Sequence, residues 1–113
     1  MVKRGQLEKI ALPSKKGFYY FKITDIVYFQ SDGNFCFCYS ANGQKHSINL
    51  MLKDIESRLG REGFCRIHHS YLINLYHLER FNKIDGNYVQ LSTTLELPVS
   101  RAKKSELMKM VGM

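Results

Sequence analysis

At 113 residues the chain has the length of one domain and is too short for two domains with a cleft between them. Its 17 Lys and Arg exceed its 10 Asp and Glu by 7, while a hydrophobic content of 44% argues against a disordered basic tail. What remains is a folded basic domain over residues 1–113 whose surplus charge favours an anionic partner, either nucleic acid or a charged membrane surface.

The N-terminal stretch from Met1 to Ile10 is polar and lacks the apolar core of a secretory signal, and residues 1–6 read as a linker or an arbitrary start. No run approaches the roughly 18 apolar residues of a membrane span, so the expectation is a cytoplasmic chain without a membrane partner. Short aromatic and β-branched runs then predict strands at Gly17 to Lys22, Asp25 to Gln30 and Phe35 to Tyr39. Asp32-Gly33-Asn34, Ala41-Asn42-Gly43 and Ile84-Asp85-Gly86-Asn87 read as tight turns, because Gly and Asn accept positive φ cheaply. Lys15 and Lys16 read as a solvated turn. A strand from Lys45 to Leu50 leads into Met51, Leu52, Ile55 and Leu59, the spacing of a short amphipathic helix that ends at Gly60. Tyr76 to Asn82, Asn87 to Leu91 and Thr94 to Val99 form three antiparallel strands, the last confined by Pro98 to an edge or an end. A C-terminal helix follows, with Ser100 as N-cap, an apolar stripe of Ala102, Leu107, Met110 and Val111, and Lys103, Lys104 and Lys109 on its other face. The fold class is mainly β, with one internal short helix and one C-terminal helix.

Charge is uneven along this order. It sums to +5 over residues 1–22 and +3 over 101–113, with a near-neutral middle. His68, His69 and His77 cluster in one stretch, yet no Asp or Glu lies between Glu62 and Glu79 to orient a base, and no Gly-x-Ser-x-Gly elbow exists. No catalytic residue is therefore assigned, and no enzyme activity is expected. Metal binding is disfavoured too: His68 and His69 are adjacent and diverge on either kind of element, and Cys36-x-Cys38 lacks a second close pair. The three cysteines read as apolar thiols facing a core, and no cofactor is implied. No helix-turn-helix, zinc finger or basic zipper is present, so if the domain reads DNA, loops must do it.

The order of Tyr28-Phe29-Gln30-Ser31-Asp32-Gly33-Asn34, then Leu50 to Glu56, then Phe64-Cys65-Arg66-Ile67-His68-His69-Ser70-Tyr71-Leu72-Ile73-Asn74, and finally Leu97-Pro98-Val99-Ser100-Arg101, resembles LytTR-type DNA-binding domains over nearly the whole chain. Its most specific part is the Phe64-to-Asn74 segment, with the Pro98-Val99-Ser100-Arg101 ending at a suitable distance downstream. The resemblance implies stacked small antiparallel sheets whose loops enter successive major grooves, in an output module of bacterial response regulators such as the LytR and AgrA type. By position, Asn34, His69 and Arg101 match residues that contact DNA in such domains. The residue types agree: Arg donates two bonds to guanine and Asn pairs with adenine, each worth about 1 to 3 kcal/mol of base discrimination. Lys103 and Lys104 then read as phosphate anchors that set register without conveying sequence. His69 departs from the resemblance, which often has Arg or Lys there. The partners implied are double-stranded DNA, a second copy on an adjacent half-site, and a receiver or other sensor domain outside these residues.

Two readings from other classes stand beside this one. One is single-stranded nucleic-acid binding on an aromatic platform of Phe18, Tyr19, Tyr20, Phe35 and Tyr39; the other is a protein-interaction module. Arg66 is expected to pair with an acidic neighbour, and Asn74 to hydrogen-bond backbone in the core.

Overall fold

The structure, a computed structural model, describes residues 9–83 and 86–112. The expected linker at residues 1–6 and the Ile84-Asp85 half of one predicted turn lie outside the described residues.

Among the described residues, ten strands and two α-helices follow in the order β1 (Lys9–Ser14), β2 (Gly17–Lys22), β3 (Ile26–Asp32), β4 (Phe35–Ser40), β5 (Lys45–Ile48), α1 (Leu52–Leu59), β6 (Phe64–His68), β7 (Tyr71–Asn74), β8 (Leu78–Asn82), β9 (Tyr88–Leu91), β10 (Glu96–Pro98) and α2 (Arg101–Met110). They form three antiparallel sheets: a β1-β2 hairpin, a five-stranded sheet ordered β5-β4-β3-β7-β6, and a three-stranded sheet ordered β10-β9-β8. The fold is thus mainly β with small stacked sheets and two helices, as expected. Pro98, which has no N–H to give a ladder, closes the edge strand β10.

The five-stranded sheet carries apolar side chains on both faces, and each face has its own cover. On one face Phe29, Cys36, Cys38, Ile48 and Leu72 pack under α1 (Leu52, Ile55, Leu59) and the β1-β2 hairpin (Leu12, Phe21). On the other, Val27, Tyr28, Cys65, Ile67 and Ile73 pack under β9, β10 and α2, through Val89, Leu91, Leu97 and Leu107. Two register shifts make this possible. Between Ile26 and Tyr28 the pairing of β3 with β4 slips, so Ile26 and Phe29 face the first core while the adjacent Val27 and Tyr28 both face the second. Between Arg66 and His68 the pairing of β6 with β7 slips, and Ile67 and His68 share a side.

Three strands were not anticipated. β1 is missed because Lys9–Ser14 is polar at its ends and buries only Leu12 fully, leaving little alternation to read. β6 and β7 are missed because the slip at Ile67 breaks the period of two in the Arg66-to-Asn74 stretch. The predicted stripe of α2 also needs correction. Leu107 is its one buried residue, whereas Ala102, Met110 and Val111 are exposed. The helix turns residues 103, 104, 107 and 108 toward the sheet, so Lys103 and Lys104 are half-buried beside Leu107 and only Lys109 points outward. Long lysine stems can cover apolar surface while their amines reach solvent, which is how this arrangement is tolerated. Ser100 is the N-cap, but through its carbonyl, which accepts from Lys103 N and Lys104 N at 3.1 Å each; its hydroxyl makes no cap bond.

Cys36 and Cys38 lie in the first core and Cys65 in the second, on opposite faces of the sheet, so the three thiols are not neighbours. Burial pushes Cys36 and Cys65 up to about 11 and Cys38 up to about 12. At pH 8 their thiolate fraction is at least about a hundredfold below that of an exposed thiol. The folded protein is expected to resist a thiol reagent at pH 8 and release all three thiols on denaturation. Because the folded-state pKa values are raised, the associated stability is present below the unfolded value of about 8.5 and is lost as pH rises toward 11. A denaturant midpoint that did not fall across that window would contradict the assignment.

Candidate nucleic-acid interface

Two hairpin tips and one helix start lie side by side at one end of the five-stranded sheet. Asp32 pairs with Phe35, so Gly33 and Asn34 alone make the β3-β4 turn. Gly33 has φ +65°, the value a type II′ hairpin asks of its first central residue, where a side chain would be strained. That leaves Asn34 exposed at the second position. His68 pairs with Tyr71, so His69 and Ser70 alone make the β6-β7 turn. The two tips are tied together: β3 and β7 are neighbours, and Ser31 N donates to Ser70 O at 2.9 Å. On the far side of β6, Ser100 N donates to Ile67 O at 2.8 Å, which sets the start of α2 against the same end of the sheet. Asn34, His69 and Arg101 therefore stand in one row, all exposed.

The His69 turn is held from beneath. Arg66 donates from Nε to His68 O at 3.0 Å and from one terminal nitrogen to His69 O at 2.6 Å, while its other nitrogen meets Glu56 Oε1 on α1 at 2.9 Å. Its guanidinium thus ties the helix to the carbonyls of His68 and His69 at the entry to the turn, a fork that lysine cannot reproduce. The side chain of Arg66 is 16% exposed and its ion pair occupies it, in agreement with the structural role expected. Within the turn, Ser70 N donates to His68 Nδ1 at 3.0 Å, and the His68 ring lies 5.5 Å from that of Tyr71. Tyr71 in turn meets Tyr28, which stacks on Tyr39 at 4.4 Å. His68 is accordingly part of the support and His69 the outward residue, the divergence expected of adjacent positions.

At the opposite end of β7, buried Asn74 donates to Ile23 O at 3.0 Å and Ile26 O at 2.8 Å and accepts from Tyr76 N at 3.1 Å. This too matches the expected core role. His77, the remaining member of the histidine cluster, is buried between Ser92 Oγ (2.6 Å from Nδ1) and Thr24 O (2.7 Å from Nε2). A carbonyl only accepts, so Nε2 carries the hydrogen and His77 is a structural staple away from the row. Lys103 and Lys104 flank the row on α2, and the Lys104 amine stands 5.9 Å from the Phe81 ring centroid. Of the proposed aromatic platform, Phe18 and Tyr20 are exposed on β2, while Phe35 and Tyr39 are half-buried in ring contacts. Sequence reasoning assigned the Arg66 neighbour only as an acid; that it comes from α1, ten residues earlier, needed the fold.

Stacked small antiparallel sheets, with two hairpin tips and a helix start held together at one end, define a class of mainly β scaffold. The chain belongs to the LytTr DNA-binding domain family, whose model matches residues 16–112. Among characterised proteins it is 28% identical over 110 residues to the heme-containing CO-sensing transcriptional regulator RcoM 2 of Paraburkholderia xenovorans, covering 95% of this chain and 41% of that protein. It is 29% identical over 107 residues to the CO-responsive transcriptional regulator RcoM of Rhodospirillum rubrum, covering 91% of this chain and 44% of that protein. The chain thus spans about two fifths of the length of these relatives. In fold it is similar to the LytTr DNA-binding domain of a response regulator from Bacillus cereus, with a TM-score of 0.79 over 94% of this chain and 98% of that one at 17% identity. Among the described residues no helix is long and apolar enough to cross a membrane.

Proposed function

We propose that the row of Asn34, His69 and Arg101 is the edge that reads double-stranded DNA, and that the chain acts in the bacterial cytoplasm by binding rather than by catalysis. The observation that carries this is the pair of bonds, Ser31 N to Ser70 O and Ser100 N to Ile67 O, that hold three separate segments of the sequence in register at one end of the sheet. Strands lie about 4.8 Å apart, and Asn34 and His69 cap β4 and β6, three spacings apart, so roughly 14 Å separates them, comparable with the roughly 12 Å width of a major groove. Asn34 and Arg101, at the ends of the row, supply a donor-acceptor amide and a two-pronged donor for base edges; His69 between them faces the backbone. Lys103 and Lys104 neutralise phosphates beside Arg101. Residues 1–113 form one DNA-binding unit, a second copy occupies an adjacent half-site, and a receiver or other sensor domain outside these residues supplies the input.

Selection of bound duplexes from a random pool tests the proposal directly. One enriched motif is expected; no consensus, or a preference for single strands, would refute it, the latter in favour of the exposed Phe18 and Tyr20 face. For Lys104→Ala a nearly sequence-independent loss is expected, with the salt dependence of log K shallower by about 0.9 per decade. Loss confined to one base pair would reassign Lys104 from anchor to reader.

A further inference from the structure

We infer that the β1-β2 turn, Lys15 and Lys16, is a second phosphate-binding flank that lies beyond Asn34, at the end of the row opposite Arg101. This rests on the reading edge proposed above and extends it by one element.

Lys15 and Lys16 read in the sequence as a solvated turn, and they form one; the tertiary structure adds where that turn sits. Ser14 pairs with Gly17, so the two lysines alone form the turn, and both are exposed. Asn49 N donates to Pro13 O at 2.8 Å, which fastens this turn next to the end of β5. That end is the one nearest the Asn34 tip, because Ile48 pairs with Cys36 and the following Asn49 therefore stands beside Phe35. Lys15, Phe35, Ser47 and Asn49 accordingly line one shallow groove, and Phe35 is the residue next to Asn34. Lys22, at the other end of β2, is about 17 Å away by strand length.

Cations thus bracket the row: Arg101, Lys103 and Lys104 on one side, Lys15 and Lys16 on the other. Asp32 is the carboxylate on the intervening tip. A duplex crossing the row would meet Asn34 in a groove and present the adjoining backbone to the two ammonium groups, with the exposed Asn49 amide beside them. Lysine suits that task, since a phosphate flank needs charge within reach and no fixed fork.

The test uses the whole chain with a mixed-sequence duplex and with a duplex enriched from the random pool. Lys15→Ala/Lys16→Ala is expected to weaken both equally, and to lower the salt dependence of log K by about 1.8 per decade, about 0.9 for each lysine. Lys22→Ala removes a charge of the same sign from the far end of the hairpin and is expected to leave the slope unchanged. On the enriched duplex, the double variant is expected to lose backbone protection from hydroxyl radicals at the Asn34 flank only. An unchanged slope, an equal change per charge in Lys22→Ala, or protection lost at the Arg101 flank would overturn the inference. If Arg101→Ala still loses selectivity while the double variant behaves as the parent, this flank alone fails. If Arg101→Ala is also silent, the reading edge fails with it.

Discussion

Arg101→Ala is expected to lower affinity for the enriched duplex by about 1 to 3 kcal/mol, roughly 5- to 150-fold, while affinity for random duplex changes far less. The size follows from what the guanidinium does. Two parallel donors aimed at guanine O6 and N7 make a contact that other bases cannot return, and the donors are left unpaired against the wrong base. Arg101 is free to do this: it is exposed at the first position of α2, and the backbone beneath it is held by Ser100 N on Ile67 O. Arg66, by contrast, is occupied by Glu56 and two carbonyls. Arg101→Lys keeps the charge and loses the fork, so it should retain random-duplex binding and lose discrimination. Equal losses on both duplexes for Arg101→Ala would move Arg101 from base reader to phosphate contact.

Asn74→Ala is expected to destabilise the fold by about 3 kcal/mol, seen as a lower urea midpoint at unchanged slope, because it strips partners from buried backbone groups at about 1 to 3 kcal/mol each. Its amide satisfies Ile23 O and Ile26 O, and its carbonyl oxygen satisfies Tyr76 N, so one side chain joins the end of β7 to the start of β3 and the turn before β8. Asp in its place cannot donate to either carbonyl and would bury a carboxylate, so Asn74→Asp should be no better. A loss below about 1 kcal/mol would mean water replaces the amide and that the site is less closed than its 2% exposure indicates. Asn74 lies at the end of β7 away from the His69 turn, and the variant, where still folded, should keep its DNA selectivity.

The residues of one motif are used unevenly. Arg66, His68 and Asn74 belong to the most specific segment of the resemblance, yet the structure engages all three internally, and His69 is the member that reaches solvent. A motif of this kind is specific because its residues build a rigid tip, and rigidity at the tip is what allows a side chain to discriminate bases without an inserted helix.

Strands with strong alternation, the turns at Gly33 and Gly43, the short helix before Gly60 and the edge placement of Pro98 were legible in the chain itself, because each depends on φ preference or on a local period. So were the basic ends and the inward direction of Cys36 and Cys38. Three things were decided only by tertiary structure. Register slips at Val27 and Ile67 assign neighbouring residues to one face, which no strict alternation reports. The buried side of α2 follows the surface it meets, and so passes through Lys103 and Lys104 rather than Ala102 and Met110. Lys15 is near Asn34 because a hydrogen bond joins Pro13 to Asn49 across 35 intervening positions, and a contact that closes so long a loop leaves no local trace in the residues that make it.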